Sequence, residues 1–276
     1  MSRKVLLLAL AAAMVAPLAQ AHDSLATVNS SVRLFAGAHH LDYTEYDPGT
    51  ATKDGILDTE KGAQQLLGAN VSWQFVSGPL KNVFVQVDAR HAHGKTKYDG
   101  YLQSQSTPEL IPYTFDNVKA VTTETAVKLG YAFSVDQGRG QLTPYVAHGT
   151  YRWQRNSSAS PYGYREDYRH NYVAFGTKWQ YQFAPKWTFE LDGAVGRTRK
   201  AGLDIPDWGL NFDLGSSEIA TLNLALTQKL TDRIDVRYAL EGSRFGYGKS
   251  IVKSGFMEPE SDSNTANLTV GLGYRF

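Results

Sequence analysis

Asn267-Leu268-Thr269-Val270-Gly271-Leu272-Gly273-Tyr274-Arg275-Phe276 decides how this chain is read. Leu268, Val270, Leu272, Tyr274 and Phe276 fall on one parity, and Asn267, Thr269, Gly271, Gly273 and Arg275 on the other. A period of two describes a strand with one apolar and one polar face. Chain ends usually fray into water, so an apolar face carried to the last residue predicts a strand held against either a soluble core or lipid.

The same alternation recurs upstream. It predicts ten strands, over 31–45, 64–76, 83–96, 118–133, 141–154, 168–183, 187–198, 218–230, 233–246 and 265–276. Leu67, Val71, Trp73 and Phe75 form the apolar parity of the second, and Val83, Val85 and Val87 that of the third. Short connections (Gly78-Pro79-Leu80-Lys81, 136–140, Ala184-Pro185-Lys186, Thr231-Asp232) alternate with long ones at 46–63, 97–117, 155–167, 199–217 and 247–264. That rhythm predicts an all-β fold: a closed antiparallel up-and-down transmembrane β-barrel with short periplasmic turns and long extracellular loops. Both ends lie on the short-turn side, so the strand number is even: ten, with eight or twelve as the alternatives if one hairpin is misread. Trp73, Phe75, Phe133, Tyr145, Trp179, Tyr181, Trp187, Phe189, Tyr274 and Phe276 are expected to form the aromatic belt at the short-turn end. Tyr43, Tyr151, Trp153, Tyr168, Phe245 and Tyr247 are expected to form the belt at the long-loop end.

The N-terminus carries a basic start (Arg3, Lys4), an apolar run from Val5 to Leu18, and the small-x-small Ala19-Gln20-Ala21. Residues 1–21 are therefore expected to be a secretory signal peptide, with residues 22–276 forming one barrel domain. No cysteine is present, so thiolate chemistry is excluded, and a formal net charge of +1 argues against a nucleic-acid partner. No apolar run beyond the signal approaches a membrane helix, but a barrel needs none, because only alternate residues meet lipid.

Leu272-Gly273-Tyr274-Arg275-Phe276 resembles the C-terminal signature of Gram-negative outer-membrane barrel proteins. The resemblance implies residence in the cell outer membrane and contact with its lipid and lipopolysaccharide. It also implies that the barrel assembly machinery reads Tyr274 and Phe276 as an assembly signal. The strand count is similar to that of the omptin proteases, which place paired aspartates and an Asp–His couple at the extracellular mouth. Here residues 199–217 offer Asp204, Asp207 and Asp213 but no histidine, so the protease motif is missing.

Inward parity lets charges be paired across the turns: Lys178 with Asp192, Gln180 with Glu190, Lys229 with Asp235, Asn223 with Glu241, and Arg152 with Glu124. The lumen is expected to be an internally neutralised polar network. Two loops, 108–115 and 203–212, are apolar for exposed segments; Tyr113, Phe115, Trp208 and Phe212 are their candidate ligand-binding residues. His91 and His93 share a face but continue the outward parity, so no metal and no cofactor is expected. The sequence thus supports a non-enzymatic barrel, structural or a narrow passage for small solutes. Its alternatives are an adhesin or ligand-binding barrel acting through its extracellular loops, and a rim hydrolase of peptide or lipid A using His39, His40 or Asp42.

Overall fold

The computed structural model describes residues 25–49, 52, 54–103 and 109–276. The expected signal peptide, residues 1–21, and Pro108 of the first apolar loop lie outside them. In chain order, a single helical turn α1 (Leu25–Val28) precedes β1 (Ser31–Tyr46), β2 (Ile56–Gln74), β3 (Val83–Gln103) and β4 (Leu110–Tyr131). There follow β5 (Phe133–Val135), β6 (Gly140–Asn156), β7 (Arg165–Ala184), β8 (Trp187–Ile205), β9 (Leu210–Asp213), β10 (Glu218–Lys229), β11 (Ile234–Tyr247) and β12 (Ser261–Arg275). Ten of these are long and make a closed antiparallel barrel; β5 only extends the line of β4, and β9 folds back on the top of β8. The sheet closes where β12 pairs with β1, from Ser31 opposite Arg275 to Glu45 opposite Ser261.

Parity sorts the side chains as expected. Leu34, Leu67, Val127, Phe175, Leu222, Leu240, Leu268 and Val270 project outward into an apolar band. Trp73 and Phe276 touch at the short-turn rim, with ring centroids 5.4 Å apart. Tyr274 lies beside Phe276, at 6.2 Å. Four of the five cross-strand pairs have the expected register: Lys178–Asp192, Gln180–Glu190, Lys229–Asp235 and Asn223–Glu241.

Two expectations need correction. Glu124 lies opposite Tyr151, while Arg152 lies opposite Thr123 on the outer face. Gly140 pairs with Val135, so the connection holds four residues, 136–139, and a count from 136–140 slips by one; a one-residue slip reverses every side chain. The upper aromatic belt is also not a belt, because Tyr43, Tyr151, Trp153, Tyr168, Phe245 and Tyr247 all turn inward and are buried. Tyr145, assigned to the lower belt, likewise points inward and donates its hydroxyl to Asp192. Small neighbours make room for such rings: a Cβ on Gly149 would lie 2.3 Å from the ring of Tyr172.

The strands also overrun the bilayer. They span 12 to 22 residues, whereas about 9–11 cross the hydrocarbon. Above the apolar band the outer face carries ion pairs: Lys61–Asp42 at 3.1 Å, Arg244–Asp262 at 2.7 Å, Arg152–Asp167 and Arg169–Asp204. There the outer face no longer meets lipid, so the period-two apolar signal fades and these extensions read as loops. Thus β2 starts at Ile56, β3 runs to Gln103 and β8 to Ile205.

Val270 lies mid-band on β12. Val270→Arg is expected to destabilise the barrel in lipid vesicles by about 2–4 kcal/mol, against about 1 kcal/mol or less for Asn264→Arg above the band. Urea unfolding followed by tryptophan fluorescence measures the difference.

Candidate functional site

The lumen has three storeys. The lowest is polar and balanced in sign: Arg33, Arg90, Lys128, Lys178, Arg237 and Arg275 face Asp88, Glu124, Glu190, Asp192, Asp235 and Glu241. Arg33 and Arg275 bind Asp235 at 2.9 and 2.7 Å, Arg237 binds Glu190 at 2.6 Å, and Lys128 binds Asp192 at 2.5 Å. Arg90 holds Glu241 and also reaches Glu124 at 3.5 Å, filling the place expected for Arg152. Lys229 faces the lumen but pairs with Asp232 in the turn at 2.9 Å, leaving Asp235 to the arginines. Asn29, just after α1, closes the short-turn mouth. It donates to Gln74 at 2.8 Å and to Gln180 at 2.9 Å, and it accepts from Lys178 at 3.0 Å.

The middle storey is a layer of rings. Centroids are 5.1 Å apart for Tyr43–Trp153, 5.1 Å for Trp153–Tyr168 and 5.5 Å for Tyr168–Tyr247. His170 continues the layer, 3.0 Å from the Tyr247 hydroxyl through Nδ1 and 4.8 Å from the Phe245 ring. Tyr151 completes it, 4.7 Å from Phe245. On the side of β2 to β4 the wall is filled by buried Gln64, Thr96 and Thr122. These separations are those of packed aromatic pairs.

The upper storey is a vestibule of about 380 Å³ at the long-loop end. All four apolar loop residues singled out in the sequence line it: Tyr113, Phe115, Trp208 and Phe212. They belong to strand extensions and to the 3-10 turn Pro206–Trp208 rather than to open loops. Trp208 packs on Tyr164 at 4.2 Å and on Phe256 at 5.5 Å, while Tyr113 meets Tyr98 at 6.3 Å.

The vestibule floor is acidic, and the sequence reading did not find it. Glu45, Asp58, Glu166 and Glu258 line the cavity with Arg155, and Glu60 lies behind them. Arg155 binds Glu60 and Glu166, both at 2.7 Å, and its guanidinium lies 5.4 Å from the Tyr98 ring centroid. Glu45 accepts the Tyr43 hydroxyl at 3.1 Å, and Glu258 accepts the Tyr168 hydroxyl at 2.6 Å. One oxygen of Asp58, Oδ1, has no hydrogen-bond partner although the residue is only 6% exposed. These groups stand above the outward ion pairs and so outside the hydrocarbon. Burial pushes the carboxyls of Glu45 and Asp58 well above the ordinary carboxylate range. Burial and then the charge of Glu166 push Glu258 up to about 8. The signal for the floor was the inward parity Tyr43, Glu45 and the pair Asp58, Glu60, hidden because 46–63 reads as a loop.

The catalytic alternatives are not assembled. His39 faces the lumen with Nδ1 2.7 Å from Asn267 Oδ1, whereas His40 and Asp42 face outward and Asp42 is bound by Lys61. Asp204 is held by Arg169 and Asp207 by the backbone N–H of Arg165, at 2.8 Å for the latter. His91 and His93 stack on the outer face at 6.1 Å.

No family model and no curated protein matches the chain. Among solved structures, the outer membrane protease OmpT from Escherichia coli superposes with a TM-score of 0.54 at 10% identity, covering 90% of this chain and 97% of that one. OprG from Pseudomonas aeruginosa, an outer membrane protein, gives 0.38 at 11% identity over 90% and 97%, and the Neisserial surface protein NspA gives 0.30 at 12% over 89% and 97%. At such identities the likeness to OmpT is one of fold: a ten-stranded membrane barrel.

Proposed function

We propose that this chain is an integral outer-membrane barrel that holds a small ligand in an external vestibule and does not conduct solutes. The observation that carries the reading is the ring layer from Tyr43 to Tyr151, which separates the vestibule from the polar chamber below. A conduit needs a continuous hydrated path; the ring layer and Asn29 interrupt it at two heights. A receptor needs a concave, largely apolar pocket with a few convergent polar groups, commonly about 300–1,000 Å³. The vestibule has that size and lining, and it faces the cell exterior if the short turns lie in the periplasm.

Purified barrel in planar bilayers is expected to show no steady openings; ohmic steps from the intact chain would restore the passage reading. Binding is read by isothermal titration calorimetry in detergent with three probes of one shape: 2-naphthylmethylamine, 2-naphthylmethanol and 2-naphthoate. At least one is expected to bind saturably, and the double variant Trp208→Ala/Phe212→Ala to weaken it at least about tenfold, as loss of stacked apolar walls implies. Saturable binding by none of the three would sink the vestibule.

The ligand-free floor also sets a pH dependence. Glu258 keeps its proton in the fold up to about pH 8, while in the unfolded chain it ionises near its ordinary value of 4.5. The folded state therefore binds more protons between those values, and stability falls as pH rises through them. Glu45, Asp58 and Glu166 act in the same direction, and Arg155 opposes them. Melting is expected at a lower temperature at pH 9 than at pH 5, with the gap narrowed in Glu258→Gln.

A further inference from the structure

The lower chamber and the vestibule differ in one respect that packing alone does not require. Below the rings, five of the six acidic groups named above have a basic side chain on them, and Asp88 is held by the amides of Asn70 and Gln86 at 2.7 and 2.8 Å. Above them, Arg155 is the one basic residue among those lining the cavity, and Glu60 and Glu166 occupy it. Glu45 and Glu258 are left with tyrosine hydroxyls, and Asp58 Oδ1 with nothing. Buried carboxylates are normally paired, because an unpaired one costs several kcal/mol. A shortfall of cations beside an open cavity, with an unpartnered carboxylate oxygen on a residue that lines it, suits a positive charge.

The kind of charge follows from the walls. Among the described residues no group of His, Asp and Glu has metal-holding geometry. The cavity sides are aromatic instead, with Tyr98, Tyr113, Trp208 and Phe256 around it. Arg155 already shows how a cation sits in this chamber, on two carboxylates and close to the rings of Tyr98 and Trp153, 5.4 and 5.9 Å away. Aromatic faces attract cations, and desolvation strengthens that attraction.

We infer that the vestibule takes an organic cation: a protonated amine carried on an aromatic or other flat apolar body, its nitrogen seated at Asp58, Glu45 and Glu258 and its body between Trp208 and Tyr113. This rests on the receptor reading above and adds the ligand's charge. The amine supplies the counter-charge that the floor lacks, and Asp58 Oδ1 gains its missing donor. A neutral ligand of the same shape fills the walls but leaves the carboxyls as they are. An anion meets them head-on.

The naphthyl probes separate charge from shape. At pH 8, 2-naphthylmethylamine is expected to bind at least about tenfold more tightly than 2-naphthylmethanol, the scale of one charge-assisted hydrogen bond over a neutral one. Binding of 2-naphthoate is expected to be undetectable. Asp58→Asn and, separately, Glu258→Gln should each erase most of the amine's advantage and leave the alcohol's affinity unchanged within about twofold. Both substitutions keep shape and remove a carboxyl able to ionise, and a melting transition within a few degrees of the parent's checks folding of each. Equal affinity for amine and alcohol, or an amine preference that survives in both variants, overturns the cation inference while the receptor reading stands. Saturable binding by none of the three overturns both.

Discussion

Hydrocarbon offers the backbone no hydrogen-bond partner, and the rest of this structure follows from that. Each unpaired N–H or C=O in lipid costs several kcal/mol, so a sheet can cross only if it has no edge. The β1–β12 seam removes the edge by pairing residues 31–45 with residues 261–275. Closure then fixes parity for every strand: one set of side chains must tolerate acyl chains, and the other must fill a lumen whose width ten strands have already set. Sequence choice is left with two freedoms, the filling of that lumen and the length of the strands beyond the bilayer. The chain's individuality lies in both.

Parity is what the sequence discloses best, and it does so where lipid enforces it. The apolar faces of Leu268 to Leu272 and of Val83 to Val87 are unambiguous, and the turns between them give the registers of Lys178 with Asp192 and Asn223 with Glu241. Reading fails where that enforcement stops. Beyond the bilayer the outer face carries Asp42, Lys61, Asp167 and Asp204, so strand and polar loop look alike, and the first residues of β2 went unrecognised. Arg152 has a different cause: Gly140 looks like part of the turn but is the first paired residue of β6, and that one residue reverses the parity counted from it. The aromatic residues near the long loops were misplaced because rings suit both the headgroup zone and a packed lumen; their parity with Glu45 and Ala147, not their type, tells which.

The candidate site was half legible. The four ring residues Tyr113, Phe115, Trp208 and Phe212 stood out because apolar side chains in presumed loops need a reason, and they do line one cavity. The acidic floor did not stand out, because its members come from β1, β2, β7 and the segment before β12, each ordinary in its own surroundings. Glu258 lies between Met257 and Pro259 in a stretch with no period to read, and Glu166 precedes an aspartate that faces the opposite way. Only closure of the sheet brings them together, and no local pattern encodes a convergence made by ring closure.

The storeys also bear on one another. A ring layer is a costly way to stop a leak, since Asn29 and its amide partners already close the opposite mouth. Its second consequence is electrical. Burying tyrosine and tryptophan rings between the balanced chamber and the acidic floor sets the six cations of the lower lumen apart from Glu45, Asp58 and Glu258. Height separates them as well: Arg90 stands opposite Gly68, eight residues down β2 from Glu60, about 26 Å at the rise of a strand and beyond the reach of any side chain. The cations of the lower chamber therefore do not serve Glu45, Asp58 and Glu258. A floor kept short of cations, at the bottom of an aromatic well that opens above the membrane, is the state from which a charged ligand gains most.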